Sequence, residues 1–259
     1  MSTIKFLKSA DPNTLKFILS DSYVEFANAL RRALISEVPV MAINKINYQI
    51  NNSAIYNEVL ALRFGLIPLV SDAKSYVTID KCSCKGKGCA KCTARLTLDV
   101  KGPGIVYARD LKPVDPKIKP VEPDMPIVKL FEGQSVRLEA EAVLGYGVKH
   151  ATFNACMATY QYYPKITANC SCKAAVDACP KGVLDYTAKK VVVKDLEACD
   201  LCNACVDACT DKGLKVEGRD DKFLFTIESW GQYEPKELLK LAVNELLLRT
   251  KEFEDGINK

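Results

Sequence analysis

The stretch from Asn169 to Leu214 contains one phrase written twice, thirty positions apart: Ala174-Ala175-Val176-Asp177-Ala178-Cys179-Pro180 and Ala204-Cys205-Val206-Asp207-Ala208-Cys209-Thr210. A glycine followed by an aliphatic residue trails each copy, Gly182-Val183 and Gly213-Leu214, so the repeat extends beyond its cysteines. Seven of the chain's twelve cysteines fall here, and the second copy carries Cys199, Cys202, Cys205 and Cys209 in a C-x2-C-x2-C-x3-C run. Structural zinc would want two C-x2-C pairs, whereas three cysteines at x2 spacing suit an iron–sulfur cubane.

Runs of this kind resemble those of bacterial-type ferredoxins, in which the fourth cysteine ligates the other cluster of a pair. Superposing the two copies therefore assigns ligands. One site is complete: Cys199, Cys202 and Cys205 with Cys179, which is followed by Pro180. It is expected to hold one [4Fe-4S] cluster, with a three-iron form allowed. The other site is eroded, because the frame asks for cysteines at 169, 172 and 175 and meets Asn169, Cys172 and Ala175. Cys170 sits one residue out of frame. Cys170, Cys172 and Cys209 thus form a degenerate second site, open between a second iron–sulfur cluster, a three-iron cluster, a disulfide and no ligand.

A second metal candidate lies upstream. Cys82-Ser83-Cys84 and Cys89-Ala90-Lys91-Cys92, with Gly86 and Gly88 between them, place four thiolates on a tight loop, as structural Zn2+ requires. A Cys-x-Cys pair also suits iron–sulfur chemistry or labile thiols. At 259 residues and 48% hydrophobic content the chain is long and apolar enough for a packed core. No apolar run approaches the roughly 18 residues of a membrane span, and Met1-Ser2-Thr3-Ile4-Lys5 lacks a signal peptide's apolar region. A cytoplasmic protein is expected, its cysteines serving metal ligation more than disulfides. The net charge of +4 is mild and argues against a nucleic-acid groove. No phosphate-cradling G-x4-G-K loop and no carboxylate motif for magnesium is recognised, so no catalytic residue is assigned. His150, the single histidine, reads as structural, and Cys156 as a buried thiol.

Periodicity supplies the elements. Ile4–Leu7 and Leu15–Leu19 flank the turn residues Asp11-Pro12-Asn13 as a hairpin. A helix with a Ser22/Glu25 capping box follows and stops at Val38-Pro39. Strands are expected over Met41–Ile46, Arg95–Leu98, Val136–Ala140 and Phe223–Glu228, with a short helix from about Ala54. Five prolines between Lys112 and Pro126 predict an extended, polyproline-like surface segment, which either offers unpaired backbone groups to a partner or is a plain ordered loop. The closing helix runs from Pro235 to about Phe253, with Gly256 as a stop. Its apolar residues cover so much of the circumference that it must be buried from more than one side, which implies a partner.

Phe26-Ala27-Asn28-Ala29-Leu30-Arg31-Arg32-Ala33-Leu34, Glu58–Arg63 and Gly65-Leu66-Ile67-Pro68-Leu69 resemble the N-terminal signature of the alpha-like subunits of cellular RNA polymerases. Tyr107–Leu111, Pro126–Leu130, Gly133-Gln134 and Gly145–Ala151 agree over nearly the full chain. The cysteine-rich insertion favours the archaeal D family. The loop at 82–92 is similar to the zinc loop of the eukaryotic counterpart, and many archaeal D subunits lack its cysteines. The resemblance implies an α+β fold: a discontinuous dimerisation domain (1–45 plus 221–259), a mostly β insertion (46–165) and a ferredoxin-like iron–sulfur domain (166–220). The paired ends of such an insertion must lie close together. It also implies a heterodimer with the L subunit through Phe26, Leu30, Leu34, Leu239, Val243 and Leu246, a platform for small assembly subunits and large catalytic subunits, and little or no direct DNA contact. An electron carrier or a redox-sensitive assembly switch are the alternatives.

Overall fold

A computed structural model describes residues 2–258. In chain order the elements are β1 (Thr3–Leu7), β2 (Thr14–Ser20), α1 (Val24–Ser36), β3 (Val40–Asn51), α2 (Asn57–Gly65), β4 (Thr93–Lys101), β5 (Gly104–Tyr107), β6 (Lys112–Pro113), β7 (Pro126–Leu130), β8 (Ser135–Gly145), β9 (Cys156–Ala168), α3 (Lys173–Asp177), β10 (Leu184–Thr187), β11 (Lys190–Val193), α4 (Ala204–Asp207), β12 (Leu214–Ser229) and α5 (Pro235–Ile257). The fold mixes helices with several separate sheets. No helix among the described residues is long and apolar enough to cross a membrane. Two compact units result: residues up to Ala10 with Leu15–Ala29 and Thr159–Thr226, and Asp11–Thr14 with Leu30–Ala158 and the chain from Ile227 onward.

The first unit is built on the sheet β1-β2-β12-β9. Asp11 nucleates the β1–β2 turn by accepting from the Asn13 N–H and the Thr14 hydroxyl, and the strands then pair antiparallel from Leu7/Lys16 to Thr3/Ser20. Phe17 stacks on Phe225 at 4.9 Å between centroids, and Tyr160 meets Phe223 edge to face at 5.7 Å. Each fully buried phenylalanine contributes about 1.5–3 kcal/mol. β12 is far longer than the expected strand: it starts inside the cysteine-rich region and runs on into the aromatic core.

The second unit centres on the antiparallel sheet β3-β8-β4-β6. Alternation decides which face is inside: Ala94, Leu96 and Leu98 of β4 and Val136, Leu138 and Ala140 of β8 are buried while their neighbours face out. α2 lays Leu60 and Phe64 into the same core, and the Arg63 guanidinium donates to the Ile127 carbonyl at 2.6 Å.

Two local expectations change, and for the proline-rich segment the ordered-loop reading prevails. The Ser22 hydroxyl is buried with no hydrogen-bond partner, so the capping box does not form; α1 begins one residue too late for it. Gly256 lies within α5 rather than ending it, because one exposed glycine near a helix end costs only about 1 kcal/mol. The proline-rich segment spends its backbone internally: Val114 N–H donates to Arg95, Val70 to Lys119 and Val121 to Pro68, with Ile118 fully buried. Prolines removed donors, and the remaining ones found partners in the chain itself.

Candidate metal centres

The loop between α2 and β4 brings four sulfurs together. Cys82 and Cys89 lie 3.5 Å apart, Cys84 and Cys92 3.6 Å, Cys89 and Cys92 3.9 Å, and all four lie within 4.8 Å of one another. Tetrahedral coordination with metal–sulfur bonds of 2.3 Å would space thiolates by about 3.8 Å. The donor set therefore fits one metal ion. Lys85, Gly86 and Gly88 have positive φ, which turns the chain back on itself between the two cysteine pairs. Cys82 and Cys92 are buried and Cys84 and Cys89 are partly so. The N–H of Cys89 and the neighbouring Cys82 thiol hold Cys84 well below the usual thiol range, so the cage starts from a thiolate.

In the first unit, Cys179, Cys199, Cys202 and Cys205 line one small cavity, together with Ile166, Val183, Leu184 and Val216. Left-handed backbone at Leu201 and Asn203 flanks Cys202 and wraps the second copy of the repeat around this cavity. The short helix α3 leads to Cys179, which closes the cavity from the first copy. Burial pushes the thiols of Cys199 and Cys205 up, and the nearby Cys179 and Cys202 add to it. Metal ligation by such thiols releases their protons, so binding and proton release are coupled here.

Cys170, Cys172 and Cys209 are buried beside one another in the same core. Cys172 Sγ lies 3.6 Å from both the Ala208 carbonyl and the Thr210 hydroxyl. Ala175, where the frame asks for a fourth sulfur, is fully buried and offers no donor. Three thiolates and one apolar corner are what this site presents.

The remaining sites are placed as follows. Leu30, Leu34 and Leu239 are buried within the chain, Leu246 is half-buried, and Phe26 and Val243 are exposed. His150 Nδ1 accepts from the Thr152 N–H at 3.2 Å, and the Cys156 thiol donates to the Leu34 carbonyl at 3.3 Å. Sequence reasoning overlooked Arg63 as the pin between α2 and β7, and a pocket beside Trp230 described below. An arginine directly beside the buried Phe64 on a short helix was the available signal for the first.

The RNA polymerase Rpb3/RpoA insert domain family matches residues 45–159. The chain is 41% identical over 235 residues to DNA-directed RNA polymerase subunit Rpo3 of Methanosarcina acetivorans, covering 88% of each. It is 40% identical over 247 residues to the same-named subunit of Methanothermobacter thermautotrophicus, covering 93% of each. With the Archaeoglobus fulgidus subunit the identity is 35% over 255 residues, covering 97% of this chain and 95% of the relative.

Proposed function

The chain belongs to the Rpo3 family of DNA-directed RNA polymerase subunits, and from that premise we propose that it is a non-catalytic assembly platform: it pairs with the small alpha-like subunit L, and the pair recruits small assembly subunits and the large catalytic subunits. The supporting observation is on α5. Leu239, Val243, Leu246, Thr250, Phe253 and Ile257 recur at alternating steps of four and three, the spacing of a helix-to-helix seam. Leu239 is 7% exposed, Val243 36%, Phe253 72% and Ile257 69%, so the seam begins inside the chain and emerges into water. A largely apolar stripe of this length facing solvent suits a partner helix. Phe26 of α1 adds an exposed aromatic within the other proposed dimerisation segment. On this reading 1–45 and 221–259 form the dimerisation domain, 46–165 and 166–220 are successive insertions, and the protein works in the cytoplasm.

The test is co-expression with L. Val243→Glu and Phe253→Glu should each weaken the pair about tenfold or more, with circular dichroism of the single chain unchanged. Undiminished pairing would overturn the interface. The electron-carrier alternative finds no support in relatives that are polymerase subunits.

The cysteine sites are read as structural. Cys82, Cys84, Cys89 and Cys92 suit Zn2+, whose two positive charges against four thiolates leave a net negative centre that the exposed Lys85, Lys87 and Lys91 offset. Cys179, Cys199, Cys202 and Cys205 suit a [4Fe-4S] cluster, which would cross-link the two copies of the repeat and stabilise a core too small to hold alone. Cys170, Cys172 and Cys209 suit at most a three-thiolate cluster. Metal and sulfide analysis of the anaerobically purified chain, with Cys202→Ser as the control, checks these assignments. Folding and assembly that persist unchanged without iron would end the structural role.

A further inference from the structure

Five separated segments of the second unit line a pocket of about 520 Å³: Asn13, the Leu66-Ile67-Pro68 run, the Val121–Met125 stretch, the residues around Thr152, and the Ser229–Gln232 segment at the end of β12. That volume lies inside the roughly 300–1,000 Å³ of ligand sites. Leu66, Val121, Met125 and the Trp230 indole supply apolar wall, with Leu66 and Trp230 each about half exposed at 54% and 49%. The wall is preformed: Gly231 has φ 84°, and a Cβ there would meet Val121 Cγ1 at 2.4 Å, so only glycine permits this close approach.

The polar side of the pocket is one-sided. Glu122 contributes an exposed carboxylate, and no lysine, arginine or histidine lines the space. Gln232 is 4% exposed, and its Oε1 is buried without a hydrogen-bond partner. A buried acceptor left unmade costs about 1–3 kcal/mol, so a turn of the Gln232 side chain toward a donor held in the pocket is favoured.

We propose that this pocket is a docking site for an arginine or lysine side chain of an adjoining polymerase polypeptide, an inference that rests on the subunit reading above. The aliphatic stem of such a side chain covers Leu66, Val121 and Met125, and its cationic head lies against the Trp230 ring with Glu122 and Gln232 as acceptors. Glu122 Oε1 already accepts from the Asp124 N–H at 3.3 Å, so an aliphatic side chain leaves Gln232 Oε1 without a donor and the Glu122 charge without a counter-charge. An acidic one meets the Glu122 carboxylate with like charge.

Trp230 is the chain's single tryptophan, so its emission reports occupancy directly. The full chain is titrated with acetyl-Gly-Ala-Arg-Ala-Gly-amide and with the citrulline, leucine and glutamate versions of the same peptide. Saturable change is expected with arginine, at an affinity about tenfold above citrulline, which keeps the shape and loses the charge. Glu122→Gln, at an exposed position that leaves folding intact, should bring arginine down to the citrulline level. Equal binding of arginine and citrulline, leucine binding as tightly as arginine, insensitivity to Glu122→Gln, or no saturation with any peptide would each overturn the proposal. The α5 variants are carried alongside. If they lose L while the titration fails, only the pocket falls; if they pair normally while the titration succeeds, the interface reading falls and the pocket stands.

Discussion

Ser22 is 4% exposed, and its hydroxyl has no partner just ahead of α1. A capping serine would lose about 1 kcal/mol on replacement by alanine. An unpartnered buried hydroxyl loses nothing of the kind, so Ser22→Ala is expected to leave the urea midpoint unchanged or raise it. Asp72 is the opposite case. Its carboxylate accepts from the Ser75 hydroxyl at 2.6 Å and from the Lys74 and Ser75 N–H groups at 3.0 Å, and these bonds hold it below the usual carboxylate range. A folded pKa below the unfolded value of about 3.9 means stabilisation that is present above that pH and lost as pH falls through the folded value. Asp72→Asn should therefore flatten the acid limb of the stability curve below about pH 4, measured by denaturant titration. At this scale the gathering of Cys82, Cys84, Cys89 and Cys92 was legible in the sequence, because their spacing on a glycine-containing loop already confines them to a small volume. Trp230, Glu122 and Gln232 were not, since segments far apart in sequence build their pocket.

Among the elements, the β10–β11 hairpin carries a visible cost. Its two-residue turn places Ala188 and Lys189 at φ 51° and 61°, a left-handed pair that favours asparagine and glycine. Lys189→Gly should stabilise the metal-loaded protein by about 1 kcal/mol, read as a higher midpoint in thermal unfolding under anaerobic conditions. Helices and inner strands were legible because their apolar periods, 3.6 and 2, are imposed by the core they face. Strand length was less so: β12 continues through Glu217-Gly218-Arg219-Asp220-Asp221, polar residues that read as a loop and are held extended by their place in the sheet. The proline-rich segment left two readings open for a related reason, since composition shows which residues cannot donate and not where the remaining donors go.

For the whole molecule, the two candidate cysteine sites, at 82–92 and within 170–209, fall in different compact units. Slow iron chelation is expected to open the cysteine-rich region first. Limited proteolysis with mass spectrometry should then show new cuts between Asn169 and Gly213, while the 82–92 loop retains its metal by elemental analysis; simultaneous loss would refute the independence of the two centres. The family and the broad α+β arrangement were legible from motifs spread along the chain. The division into compact units was not, because α1, β9 and β12 each pass through the boundary and no composition shift marks it.

The N–H of Asn169 donates to the carbonyl of Gly213 at 2.8 Å, where the chain leaves β9 and enters β12. A Cβ on Gly213 would meet the Asn169 carbonyl oxygen at 2.4 Å, so the two backbones are already as close as the ends of a tight turn. A lineage living without reliable iron could excise everything between them in a single genetic deletion, seal the gap with a two-residue turn, and keep the host sheet in register. The same closeness lets evolution trade the cysteine-rich segment in or out as a cassette.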